Sequence, residues 1–286
     1  MVGLERNIYD SNGGNGSPGK PTIIDPHEFP ASLEENHARS VRDVMPEDIP
    51  GIRQLFRMFL RPEESKTGGI NMDSHHVFHE DINNFPVNWR NPDEVQAFDD
   101  SLERFYFPAG PFISKATKKR GEEIVTKRKT KVCIRDNEIV GVYSYLTDDP
   151  HAPESDRDRA TGKLKTQTGE VLRMAYGHVL VVDPRHRKEA IGSFLVGNVA
   201  DEVFSKGYDQ LTSCIDQVGD FGDVMKFVWS LGFENDRRKS SEYSYFNPDG
   251  VFTKGVRIIL TKENWFAKRA EVVGKIKQMW NIQSIA

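Results

Sequence analysis

His178-Val-Leu-Val-Val-Asp-Pro-Arg-His-Arg-Lys-Glu-Ala-Ile-Gly-Ser-Phe-Leu195 is the stretch in which the hydrophobic period of the chain changes. Val179 to Val182 is an unbroken aliphatic run, which reads as a strand buried on both faces. Asp183-Pro184 stops that strand, because proline fixes φ and cannot donate to a ladder. From Ala190 onward Ile191, Phe194, Leu195, Val199 and Val203 recur at three and four, the stripe of an amphipathic helix. The segment is therefore strand, tight turn and helix, with Arg187 to Gly192 at the helix N-terminus.

The first turn of a helix leaves its backbone N–H groups without intrahelical acceptors and carries the positive end of the dipole, so it suits an anionic phosphate. Ala190 and Gly192 are small enough to let a ligand near the backbone, and Arg187 and Lys188 add positive charge. Small residues also stand at helix starts that bind nothing, so this pattern alone leaves both readings open.

Val182-x-Pro184-x-x-Arg187-x-x-Ala190-x-Gly192-x-x-Leu195 resembles motif A of the GCN5-related N-acetyltransferase (GNAT) superfamily, Gln/Arg-x-x-Gly-x-Gly/Ala, with Ala190 standing where the family usually has its first glycine. Leu211-Thr-Ser-Cys-Ile-Asp216, then a helical stretch ending in Leu231-Gly232-Phe233, is similar to the family's motif B. Val41 to Phe56 looks like its opening strand and first helix. The resemblance covers roughly residues 41–262. It implies an α/β (α+β) fold: a mixed, mostly antiparallel central sheet flanked by helices, with splayed central strands.

Composition narrows the classes. The chain has 286 residues, 37% hydrophobic and 29% charged, with a formal net charge of −4, which makes no case for nucleic acid or an anionic membrane. Cys133 and Cys214 both sit in strand-like runs and read as buried free thiols of a reducing compartment. The first residues lack a signal-peptide core, and no run approaches a membrane span. A soluble, cytoplasmic protein is expected.

Residues 1–40 carry the low-complexity run Ser11-Asn-Gly-Gly-Asn-Gly-Ser-Pro-Gly19 and read as an extended arm, either a flexible leader or a segment that docks on a partner. His75, His76 and His79 invite a metal reading, but the local pattern supplies no further ligands, so surface histidines and no metal are expected. Asn91 starts a helix with Val95, Phe98, Leu102, Phe105 and Tyr106 as its stripe. The span from Arg61 to Lys131 would form a long acceptor wall in the resembled family; its last part, Lys115 to Lys131, holds eight basic residues against two glutamates. A solvated face, acidic substrates and the adenosine 3′-phosphate of the cofactor all remain open there. Strands at 131–135 and 139–146 flank a turn at Asp136-Asn-Glu, and 148–165 reads as an inserted loop. Near the end, strands at 242–246 and 256–261 flank Asn247-Pro-Asp-Gly. In the tail helix of 263–286, Phe266, Ala270, Val273, Ile276 and Trp280 form the expected buried stripe, widened by Trp265, Val272 and Met279. That helix either packs back on the 41–262 domain or makes an oligomer contact.

The resemblance implies transfer of an acetyl group from acetyl-coenzyme A to a primary amine. An alkyl amine has a pKa of about 10.4, so it must lose a proton before attacking a thioester. In the family the acyl carbonyl is held by amides of the splayed strand, here Leu180, Val181 and Val182. The phosphates would lie on Arg187, Lys188, Glu189, Ala190, Ile191, Gly192 and Ser193. Tyr176, His178 and Glu170 are the candidates for the base or for a water-holder, and Val228 stands where family members often place a tyrosine acid. The rival reading is a catalytically weak module of the same fold. It would be tethered by arm and tail in a larger assembly such as a virion, since function belongs to the site and not to the fold.

Overall fold

The computed structural model describes residues 39–60, 128–147, 164–165, 171–216, 221–236, 242–246 and 252–280, together with several positions between 91 and 106. The arm up to residue 38, His75, His76, His79, Glu170, most of the 61–131 wall, the 148–163 loop and the 247–250 turn lie outside the described residues.

In chain order the elements are β1 (Arg39–Asp43), α1 (Ile49–Leu60), β2 (Arg128–Arg135), β3 (Glu138–Leu146), β4 (Leu164–Lys165), β5 (Val171–Leu172), β6 (Met174–Val182), α2 (Ile191–Ser205), β7 (Gln210–Asp216), α3 (Phe221–Ser230), β8 (Glu234–Asn235), β9 (Glu242–Phe246), β10 (Phe252–Thr261) and α4 (Lys262–Met279). The main sheet runs β1-β2-β3-β6-β7-β10, with β8 and β9 both paired to the outer side of β10. β6 and β7 are parallel and all its other neighbours antiparallel, so the fold is the expected mixed, mostly antiparallel α+β sheet. The parallel pair needs a crossover, which α2 supplies. Between β2 and β3, Asp136 and Asn137 both take φ above zero, the two-residue turn that matches strand twist and tolerates short polar side chains.

Each face of the sheet is covered. On one, Ile49, Ile52, Leu55 and Phe56 of α1 pack against Val132, Val142, Val179 and Val181. On the other, Ile191, Phe194, Leu195, Val199 and Val203 of α2 are buried as their spacing predicts, in one core with residues of α3 and α4. α4 does pack back on the domain, with part of the expected stripe buried and part of it outward. Trp265, Val272, Ile276 and Trp280 are buried, whereas Phe266 and Met279 are each half exposed. Polar contacts set this rotation: Trp265 Nε1 donates to Asp201 of α2 at 2.6 Å, and Arg269 pairs with the same carboxylate at 3.0 Å. A helix with apolar residues on more than one side is turned by whichever polar partners it must satisfy.

A second polar cluster, on the next residue, ties the same end of α2 to the sheet. Glu202 accepts from Tyr145 Oη at 2.9 Å and pairs with Lys131 at 2.8 Å, with Lys129 at 3.4 Å and with Lys206. Burial pushes the Glu202 carboxyl up, but the bonds from Lys131, Lys206 and Tyr145 outweigh it and bring the group down to about 2. A depressed carboxylate stabilises the fold above its unfolded pKa and loses that contribution as pH falls through the folded one. Glu202→Gln is therefore expected to cost about 2–3 kcal/mol at pH 7. The gap to the parent should narrow between an ordinary carboxylate pKa of about 4.5 and about 2. Urea unfolding across that window tests it, and a gap that does not change with pH would sink the assignment.

Candidate functional site

β6 and β7 pair only from Met174–Gly177 to Gln210–Ser213. Past that point β6 stays with β3, β7 stays with β10, and a wedge opens between them. Its cause is a bulge: Ser144 faces Val179 and Tyr145 faces Gly177, which leaves His178 as the extra residue of β6. Bulges bend a strand and re-aim its side chains, and they recur beside active sites. Two hydroxyls close the last rungs, Thr212 Oγ1 donating to Ala175 O at 3.3 Å and Ser213 Oγ to Gly177 O at 2.8 Å.

Asp183 N–H donates to Val140 O at 2.9 Å. Strand alternation then turns the N–H of Val181 toward β3 and those of Leu180 and Val182 into the wedge. Of the three amides expected to hold an acyl carbonyl, those of Leu180 and Val182 face the wedge and that of Val181 faces β3.

At the wide end of the wedge the chain turns into α2. Asp183 is fully buried and accepts from Arg185 N at 2.8 Å and from its guanidinium. Burial raises this carboxyl, but those bonds outweigh it and hold it below the usual range. Lys188 and Ala190 then take φ of 66° and 61°. The left-handed conformation costs an L-residue roughly 1–2 kcal/mol, so Ala190 carries the glycine conformation of the resembled motif at some strain. Left-handed Ala190 followed by the helical Ile191 turns successive N–H groups to one side, the geometry of a nest for an anion. The Ala190 side chain makes no cap, and the first helical bond is Phe194 N to Ala190 O at 2.9 Å. The N–H groups of Ile191, Gly192 and Ser193 are thus without helical acceptors. Arg187 and Lys188 are exposed beside them.

This turn is clamped from behind. Trp280 Nε1 donates to Glu189 O at 2.6 Å, and its ring lies edge-on to Phe194 at 4.7 Å with the Arg39 guanidinium 4.9 Å from its centre. The Glu189 carboxylate is held by Arg39 at 3.2 Å, by Arg135, and by His186 Nδ1 at 3.4 Å. Glu189, expected among the cofactor contacts, therefore spends its side chain on holding the turn. Ile191 is buried and can offer only its backbone.

Two positions named from the sequence also take part in packing. A Cβ on Gly192 would meet the Phe227 ring at 3.2 Å and Val182 Cγ2 at 3.8 Å. The small residue there lets α3 pack on α2, whatever else it admits. Val228 is 7% exposed inside the core, so its position is structural. Of the proton-transfer candidates, Tyr176 is 5% exposed and His178 half-buried at the bulge, their rings 6.0 Å apart. Ser213 bonds Gly177 O, Phe227 lies over Gly192 and Tyr143 over Gly177, and none of the three was singled out from sequence. Gly177 was the available signal, since an isolated glycine within a strand marks a bulge or a close approach. Among the described residues no group of three His, Cys, Asp or Glu side chains could hold a metal ion. No described helix is long and apolar enough to cross a membrane. Both cysteines are free, Cys133 being buried and Cys214 half-buried.

No protein-family model matches the chain, and no curated protein matches it in sequence. Among solved structures it is similar to an N-acetyltransferase from Staphylococcus aureus (13% identity, 78% of this chain and 98% of that one, TM-score 0.43). It is also similar to the ribosomal-protein-S18-alanine N-acetyltransferase of Escherichia coli (12%, 78% and 93%, TM-score 0.39). A third is a Salmonella typhimurium protein described as an acetyltransferase and solved with its cofactor acetyl-CoA (13%, 78% and 94%, TM-score 0.42).

Proposed function

We propose that this chain is an N-acetyltransferase that moves an acetyl group from acetyl-coenzyme A to a primary amine. The carrying observation is the wedge between β6 and β7 leading into an uncapped anion nest at the start of α2. An extended ligand with an acyl end and a phosphate end fits that layout. Backbone from Arg187 to Ser193, with the Arg187 and Lys188 side chains, would hold the phosphates. The pantetheine arm would follow the free edge of β6. Coenzyme A supplies the acyl group as a thioester, whose carbonyl is open to an amine.

The chain's own groups then have definite tasks. The N–H groups of Leu180 and Val182 would hold the acyl oxygen as it takes on charge, and fixed backbone dipoles do this without reorganising. His178 is the only proton-transfer candidate among the described residues that is both at the wedge and half open to it. It would take the proton that the amine loses. Tyr176 lies beside it, buried, and serves to position the imidazole. The phosphate cradle supports this reading over the weak structural module, because it keeps open N–H groups and two exposed cations.

Titration calorimetry with acetyl-coenzyme A tests the assignment. The double variant Arg187→Glu, Lys188→Glu reverses two exposed charges at the nest and should leave the fold intact. It is expected to weaken binding at least tenfold, since a charge reversed against a phosphate costs about 1 kcal/mol or more. Equal affinities, or no binding by the parent protein, would overturn the reading.

A further inference from the structure

At the end of α2 three lysines crowd one carboxylate: Lys129 and Lys131 of β2 and Lys206 all pair with Glu202. Lys131, 13% exposed, takes Glu202 Oε2 at 2.8 Å and also reaches Asp43 of β1 at 2.8 Å. The other oxygen, Oε1, receives Tyr145 Oη at 2.9 Å, the Lys206 ammonium, and Lys129 Nζ at 3.4 Å. A carboxylate oxygen offers two lone pairs. Tyr145 and Lys206 occupy them at close range, so Lys129 is the surplus donor, at the longest distance.

The surroundings decide which amine gives up its proton. Lys206 is the C-cap of α2, where the helix dipole favours a cation. Lys131 bridges two carboxylates. Lys129 stands at neither place, and a like charge nearby disfavours an ammonium. The Lys206 ammonium first, then burial, pull the Lys129 amine below the usual lysine range against the opposing pull of Glu202. Lys129 in turn helps Lys206 to keep its proton. The other titratable groups of the cluster are Lys131 on the same strand, Asp43 on β1 and Tyr145, which faces Lys129 across the β2–β3 ladder. The Lys129 side chain is 36% exposed, so a small reagent can reach it.

We propose that Lys129 is an acylation site of this protein, a primary amine that takes an acyl group from an acyl thioester without help from the wedge. The neutral nitrogen attacks the thioester carbonyl carbon. A carbon–nitrogen bond forms, the carbon–sulfur bond breaks and its electron pair leaves on sulfur. The proton that nitrogen sheds goes to solvent, which returns one to the thiolate. The product amide carries no charge. Glu202 keeps Lys131, Lys206 and Tyr145, so the fold survives the modification.

The probe is S-acetyl-N-acetylcysteamine, an acetyl thioester without a nucleotide, so the outcome does not depend on coenzyme A binding. Acetylation of each lysine in the folded full chain is followed by peptide mass spectrometry. At pH 7 Lys129 is expected to react at least about fivefold faster than Lys254 and Lys262, although both are more exposed, because only the neutral amine attacks. The advantage should shrink toward a pH of about 10, where every lysine approaches neutrality. Lys206→Met removes the crowding ammonium from an exposed position, and Lys129 should then react no faster than Lys254. Equal rates at Lys129 and Lys254 in the parent overturn the proposal, as does a Lys129 rate that Lys206→Met leaves unchanged. Fast acetylation of Lys129 in a parent that binds no coenzyme A would sink the acyl-transfer reading and leave this one standing.

Discussion

Replacing Trp280 with alanine is expected to destabilise the fold by about 3–5 kcal/mol, the usual cost of emptying a buried tryptophan site. It is also expected to weaken coenzyme A binding about tenfold. The two effects come from different atoms. The ring is 5% exposed, meets Phe194 edge-on and carries the Arg39 guanidinium on its face. The indole N–H holds the Glu189 carbonyl, in the middle of the turn whose amides would hold the phosphates. Trp280→Phe separates them: most of the packing remains and the donor is lost. It should cost about 1 kcal/mol of stability while still loosening the turn and lowering affinity. Urea unfolding with calorimetric titration at a temperature where all variants are folded reads both. Should Trp280→Ala lose stability yet bind coenzyme A as tightly as the parent, the indole packs the core and does nothing for the site.

His178→Ala is expected to lower turnover by about 10²–10⁴-fold, the range for a lost general base, with coenzyme A affinity nearly unchanged. The residue is placed by the bulge that opens the wedge, so its imidazole stands at the point where β6 leaves β7. Added imidazole should restore part of the rate in His178→Ala, because a small base can occupy the space left behind. Tyr176→Phe should slow transfer only modestly, since that side chain is buried next to the imidazole and cannot reach a substrate. A rate loss in His178→Ala that imidazole does not repair would assign His178 to shaping the bulge alone. No loss at all would move proton transfer elsewhere, to residues outside those described.

Periodicity and punctuation carried most of the fold. The α2 stripe from Ile191 to Val203 is buried at each expected position because a helix that must cover a sheet can bury only one face. The Asp136-Asn137 hairpin and the stop at Asp183-Pro184 followed from backbone chemistry that acts within a few residues. α4 shows where such reasoning ends. Its apolar residues lie on more than one side, and Asp201, some sixty residues away, decided which side turned inward through Trp265 and Arg269.

The site divides in the same way. The strand–turn–helix at 178–195 was legible because its signals are contiguous, but the left-handed backbone of Ala190 and the uncapped start of α2 came from the structure. Likewise, the separation of Leu180 and Val182 from Val181 depends on which neighbour each amide meets, and that is a matter of register with β3. The clamp of Trp280 and Arg39 on Glu189, the Phe227 ring over Gly192, and the Tyr143 hydroxyl over Gly177 each join residues far apart in sequence. No spacing rule encodes such pairs. They exist only once the strands have paired and the helices have packed, because side-chain contacts across a sheet are fixed by register and burial and not by order along the chain.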